Sequence, residues 1–133
     1  MKEKLLESAF EAMENSYAPY SKYHVGASFL CKDGTIFKGT NIENASFGAT
    51  TCAEQTAIYS AYTAGYRKED IVACAIVTDG EILAGPCGIC RQVLSELIDG
   101  EAPIYLSNKK ASLDTNMNEL LPLQFGEKDL KHV

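Results

Sequence analysis

Cys87 and Cys90 sit in the run Gly85-Pro86-Cys87-Gly88-Ile89-Cys90, and Cys52 stands 35 positions before the first of them. Thiolates so spaced can hold a metal ion, and zinc is the ion that this donor set suits. Three sulfur ligands leave one tetrahedral position free for water or substrate. That open position separates a catalytic zinc site from a closed structural one. Glu54 follows Cys52 by two residues, an acid beside the metal that ligation does not need. Zinc lowers the pKa of a bound water towards neutrality. A neighbouring carboxylate can take up the released proton and later return it, serving first as base and then as acid.

Both cysteine segments need rigid elements beneath them. Residues 52–64 read as a helix stopped by Gly65, with Thr51 as its cap and Glu54 completing a capping box. A second helix opens at Cys87 and runs to about residue 99, with Val93, Leu94, Leu97 and Ile98 on its apolar face. Each cysteine segment therefore lies at a helix start, where free N–H groups and the helix dipole favour anionic sulfur. Gly88 is expected to let the backbone turn between ligands, and Pro86 to stiffen the approach.

The remaining elements frame these two helices. Residues 3–16 have helical apolar spacing and end before Pro19. Residues 22–31 alternate, with Tyr23, Val25, Ala27, Phe29 and Cys31 on one face, and residues 35–39 return after the turn Lys32-Asp33-Gly34. Residues 71–78 form a continuous apolar run, read as a strand buried on both faces. Residues 103–106 read as a short strand, and residues 118–121 as a helical turn. The order is helix, two antiparallel strands, helix, strand, helix, strand. It predicts an α/β domain in which helices cover a mixed sheet. The polar stretch 40–51 leads directly into Cys52 and reads as a functional loop.

Composition narrows the choices. A chain of 133 residues, 46% hydrophobic and 23% charged, is expected to form a single domain over residues 1–133. Five cysteines and an acidic N-terminus fit a reducing, cytoplasmic setting better than a secreted disulfide framework. No apolar run is long enough for a membrane span. A net charge of -6 disfavours nucleic acid as a partner and favours a small, nearly neutral substrate. Cys31 and Cys74 fall inside predicted strands and read as core, and His24 and His132 stand at no ligand spacing. A structural zinc site would need a fourth ligand, and a redox Cys-x-x-Cys would leave Cys52 and Glu54 unused.

A cysteine, a Glu two residues on and then Pro-Cys-x-x-Cys is the zinc deaminase pattern. The chain resembles the small cytidine deaminases from Tyr17 to about Leu130. The likeness is carried by Tyr17-Ala18-Pro19-Tyr20-Ser21, Val25-Gly26-Ala27, Asn41-Ile42-Glu43-Asn44, Cys52-Ala53-Glu54, Pro86-Cys87-Gly88-Ile89-Cys90-Arg91-Gln92 and Glu119-Leu120-Leu121-Pro122. The resemblance implies a three-layer α/β/α domain on a mixed five-stranded sheet. It also implies Zn²⁺ on Cys52, Cys87 and Cys90, and hydrolytic deamination of cytidine and 2'-deoxycytidine in pyrimidine salvage, with Glu54 as proton shuttle. Asn41 and Glu43 would hold the ribose hydroxyls, the Ala53 backbone would contact the pyrimidine, and Tyr23 would line the pocket where the family has Phe. Phe125 would reach a neighbouring subunit's site, and the assembly would be a homotetramer.

One position departs from the family. The usual Cys-Ala-Glu-Arg reads Cys52-Ala53-Glu54-Gln55 here. Three thiolates on Zn²⁺ carry a formal charge of about -1, which the family Arg would offset. Gln55 can donate hydrogen bonds to the sulfurs but brings no charge, so Arg91 is expected to supply compensation. The departure also admits a blasticidin-S-type deaminase. Polynucleotide deaminases and non-catalytic zinc-stabilised interaction domains are the further alternatives; the latter would have a closed four-ligand site.

Overall fold

Two cysteine-bearing helix starts meet over one end of a twisted sheet because small residues let the helices settle closely onto it. The structure, a computed structural model, describes residues 1–130; His132 lies outside them. In chain order the elements are helix α1 (Lys2–Met13), strands β1 (Val25–Cys31) and β2 (Ile36–Thr40), helix α2 (Ala53–Thr63), strand β3 (Ile71–Thr78), helix α3 (Gly88–Leu97), strands β4 (Ile104–Ser107) and β5 (Ser112–Thr115), and the short helices α4 (Met117–Leu120) and α5 (Glu127–Leu130). The strands lie in the order β2-β1-β3-β4-β5. β1 is antiparallel to both neighbours, β3 and β4 are parallel, and β5 turns back antiparallel at the edge. The mixed five-stranded sheet is thus as expected.

The faces of the sheet are covered unequally. Leu5 and Ala9 of α1 pack on Ala73, Ala75 and Val77. On the other face, Ala53, Ala57, Ile58 and Ala61 of α2, with Leu94 of α3, pack on Ala27, Phe29, Cys31, Cys74 and Ile76. The layers are α/β/α. Cys31 and Cys74 are core residues, and burial raises both thiols above their ordinary range.

One face of β1, with Ala27, Phe29 and Cys31, packs under α2 and α3. Its second face is buried as well, under α1, where the Ser28 hydroxyl donates to the Leu5 carbonyl at 2.6 Å. The strand also starts at Val25 and not at Lys22. Lys22 has a left-handed backbone (φ 61). The Tyr23 carbonyl and the Val25 N–H are taken by the two ends of the Asn41 amide, at 2.9 and 3.0 Å. Side-chain bonding there replaces the ladder and ends the strand.

Gly26 marks the tightest approach. A Cβ at this position would lie 1.9 Å from the Ala9 carbonyl oxygen and 2.9 Å from the Met13 nitrogen, both backbone atoms of the α1 segment. Gly26→Ala should therefore lower stability by about 3 kcal/mol, or the melting temperature by roughly 10 °C. Gly126→Ala, which meets nothing within 4 Å, should leave thermal melting unchanged. Equal melting of the two variants would show that α1 gives way freely.

Candidate active site

The two helices that carry the cysteines begin on the same side of the sheet. Cys52 is the N-cap of α2 and Cys87 the N-cap of α3, both with extended backbone, and Cys90 lies in the first turn of α3. The three sulfurs lie within 4.8 Å of one another, with Cys52 Sγ and Cys87 Sγ 4.0 Å apart. A tetrahedral ion with Zn–S bonds of about 2.3 Å separates its sulfurs by roughly 3.8 Å. The donor set and its spacing therefore fit Zn²⁺. Cys87 is exposed, Cys52 half-buried and Cys90 fully buried. As free thiols they already interact: the hydrogen bond with Cys90 draws Cys52 down to about 7, and that same bond, with burial, holds Cys90 far up.

The expected capping of α2 is displaced by one residue. Thr51 is not the cap; it pairs with Ile42 through two backbone hydrogen bonds of 2.9 Å. Cys52 takes the cap position, and Gln55 Oε1 accepts from its N–H at 3.1 Å. The shift frees Glu54 from capping. Its side chain lines the cavity below, only 4% exposed, and burial pushes its carboxyl above the usual carboxylate range. Thr56 fixes the helix start by donating to the Thr40 and Cys52 carbonyls, each at 3.1 Å.

The Arg91 guanidinium is held by backbone carbonyls. Its Nε donates to the Pro86 carbonyl at 2.7 Å and its Nη1 to the Leu120 carbonyl at 2.9 Å. Among the described residues no side-chain hydrogen bond runs from Arg91 or Gln55 to a sulfur: the guanidinium is drawn to carbonyls that point at it, and Gln55 turns its side-chain acceptor to the Cys52 N–H. Gly88 has neither a positive φ nor a crowded Cβ position, so the tight turn expected there is absent and it simply opens α3.

A cavity of about 340 Å³ runs from the sulfurs to the 40–51 loop, a size suited to a small organic ligand. It brings together Tyr23, Asn41, Glu43, Cys52, Ala53, Glu54 and Cys87. Glu43 is held by the Tyr20 and Ser21 backbone N–H groups at 3.1 Å and by the Ser21 hydroxyl. The Ser21 bonds depress its pKa. That contribution to stability is present above the unfolded carboxylate value and is lost as pH falls through the lower folded one. Ser21, Ile76 and Thr78 also line the cavity, though spacing alone gave them no role. Phe125 is 58% exposed and outside the cavity lining, its carbonyl accepting from Gln92 Nε2 at 3.0 Å.

Comparison with known proteins agrees with this arrangement. The family model described as the cytidine and deoxycytidylate deaminase zinc-binding region matches residues 1–105. The chain is 45% identical over 127 residues to a cytidine deaminase of Halalkalibacterium halodurans, covering 95% of each protein. It is 44% identical over 131 residues to one from Sporosarcina psychrophila, covering 98% of this chain and 95% of that one. The crystal structure of cytidine deaminase from Burkholderia pseudomallei superposes with a TM-score of 0.89 at 41% identity, over 94% of this chain and 99% of that one. With its cysteine triad, its buried Glu and its three-layer fold, the chain belongs to the cytidine and deoxycytidylate deaminase family.

Proposed function

We propose that this protein, acting as a single domain over residues 1–133, hydrolytically deaminates cytidine and 2'-deoxycytidine to uridine and 2'-deoxyuridine, releasing ammonia. The observation that carries the reading is the placement of Glu54. The buried Glu54 lines one cavity together with Cys52 and Cys87 of the sulfur cluster and with Asn41 and Glu43. Cys52, Cys87 and Cys90 would hold Zn²⁺, which when bound supplies Lewis acidity and lowers the pKa of water.

Glu54 performs the proton work. As carboxylate it takes a proton from the attacking water and passes it to the ring nitrogen next to the reacting carbon. It then takes the second proton from the hydroxyl newly attached to that carbon and delivers it to the departing amine, so that ammonia leaves as the carbonyl forms. Burial keeps bulk water from diverting those protons, and the helix starts at Cys52 and Cys87 help to offset the negative charge of the sulfurs. Ala53 presents backbone to the pyrimidine, and the Tyr23 ring forms a wall.

Asn41 and Glu43 hold the sugar hydroxyls. Both are positioned before substrate arrives: Asn41 by the 23–25 backbone, Glu43 by Tyr20 and Ser21. Preorganised groups lose little entropy on binding. Gln55 orients Cys52 through the cap, and Arg91 ties the Pro86 end of the ligand loop to α4. Phe125, exposed and outside the lining of its own cavity, would serve a second copy in a homotetramer. No helix among the described residues is long and apolar enough to cross a membrane, and the acidic, cysteine-reduced chain fits a cytoplasmic nucleoside salvage role.

The test is ultraviolet-monitored turnover of free cytidine by the purified protein, with zinc content measured on the same sample. Turnover with about one zinc per chain is expected. Zinc without turnover of either nucleoside would overturn the substrate assignment, and blasticidin S and single-stranded nucleic acid would be tried next.

A further inference from the structure

Thr78 ends β3 with its side chain in the cavity lining, yet its hydroxyl is buried and has no hydrogen-bond partner among the described residues. The residue is 5% exposed. Val would fill nearly the same volume on a buried strand without leaving a polar group unpaired, so the hydroxyl needs an explanation. Other buried hydroxyls in this protein are satisfied: Ser28 bonds the Leu5 carbonyl, and Thr40 bonds the Val25 carbonyl at 2.7 Å.

Its place in the sheet limits what it can serve. Thr78 shares one face of β3 with Ile76 and Cys74. In the antiparallel register Thr78 faces Val25, whose N–H bonds Asn41. The turn after it runs along Tyr23, so closely that a Cβ on Gly80 would lie 3.0 Å from the Tyr23 ring. Thr78 thus stands beside Tyr23, Val25 and Asn41 in the cavity wall.

We infer that Thr78 is a substrate-binding residue, its hydroxyl taking up a hydrogen bond to the bound pyrimidine nucleoside on the side remote from the reacting carbon. The inference rests on the deaminase reading above. The rotor supplies both a donor and an acceptor, and a turn about the Cα–Cβ bond exchanges its oxygen and methyl positions. Two groups of the nucleoside lie remote from the reacting carbon: the carbonyl at ring position 2 and the sugar hydroxyls. A contact there is made equally in ground and transition states, so it acts on KM and not on kcat.

The experiment compares wild type, Thr78→Val and Thr78→Ser in steady-state kinetics on cytidine and 2'-deoxycytidine, with thermal melting of each protein alone and with uridine. Thr78→Val should raise KM about tenfold, with kcat within about twofold of wild type. Without ligand it should melt no lower than wild type, while uridine should stabilise it less. Thr78→Ser keeps the hydroxyl and should recover most of the affinity. Equal KM effects on both nucleosides assign the contact to a group that the two share, the ring carbonyl or the 3'- or 5'-hydroxyl; an effect confined to cytidine assigns it to the 2'-hydroxyl. An active wild type with an unchanged KM in Thr78→Val overturns the inference alone, as does a raised KM that Thr78→Ser fails to recover. A wild type inactive on both nucleosides overturns the deaminase reading and this inference with it.

Discussion

Glu54→Gln is expected to lower kcat on cytidine by about 10⁴-fold while the protein keeps its zinc and its fold. The size follows from the two proton transfers assigned to one carboxyl. A general acid or base contributes roughly 10²- to 10⁴-fold, and loss at the upper end is expected when the same group serves twice. Gln has the shape of Glu, so the cavity wall is preserved. It can neither accept a proton nor deliver one. Stability should not fall, because burial already disfavours the charged carboxylate at this site. The measurement is turnover, zinc content and melting temperature on one preparation. A variant within about tenfold of wild-type kcat would remove Glu54 from the chemistry. A variant that loses zinc would make Glu54 part of the metal site instead.

Much of this site could be read from short stretches of sequence because its chemistry is packed locally. Cys52 with Glu54, and Cys87 with Cys90, each lie within one helical turn, so spacing alone gives their relation to a helix start. The one further step, bringing the two starts together, comes from the sheet order, with β1 between β2 and β3. Asn41 and Glu43 come into the cavity on an irregular segment that the polar composition of residues 40–51 marks as a loop.

What spacing could not decide was settled by partners distant in the chain. Thr51-Cys52-Ala53-Glu54 and Cys52-Ala53-Glu54-Gln55 both present a capping pattern. The antiparallel pairing of Thr51 with Ile42 selects the second, which frees Glu54 for the cavity and commits Gln55 to Cys52. An Arg at position 55 has no acceptor and could not close this box, so the departure from the family carries a local structural role. Arg91 likewise answers to Leu120, 29 positions away, a contact that spacing cannot show. β5 carries no strand pattern in its sequence because Ser112, Leu113 and Asp114 are exposed at the sheet edge, where no burial pattern is imposed. Thr78 reads from sequence as the end of an apolar strand; only its unpaired hydroxyl at the cavity singles it out.

Removal of zinc should abolish turnover and alter the cysteines in a fixed order. With the metal held by Cys52, Cys87 and Cys90, these three sulfurs are masked, and Cys31 and Cys74 are buried. The native holoprotein should therefore give almost no prompt reaction with a thiol reagent. After chelation Cys87, exposed at the α3 cap, should react first. Cys52 should follow: it is half-buried, but its pKa of about 7 supplies thiolate near neutral pH. Cys90 should be slow, being buried with its pKa held up by its bond to Cys52. Cys31 and Cys74 should react only on unfolding. The metal also ties the start of α2 to the start of α3. A ligand that binds only the folded state stabilises it, so chelation should lower the melting temperature by about 10 °C or more. Restoring zinc should recover both activity and masking. Full activity after complete chelation, or equal reactivity of Cys87 before and after, would refute the ligand set and, with it, any role for the metal in binding α2 to α3.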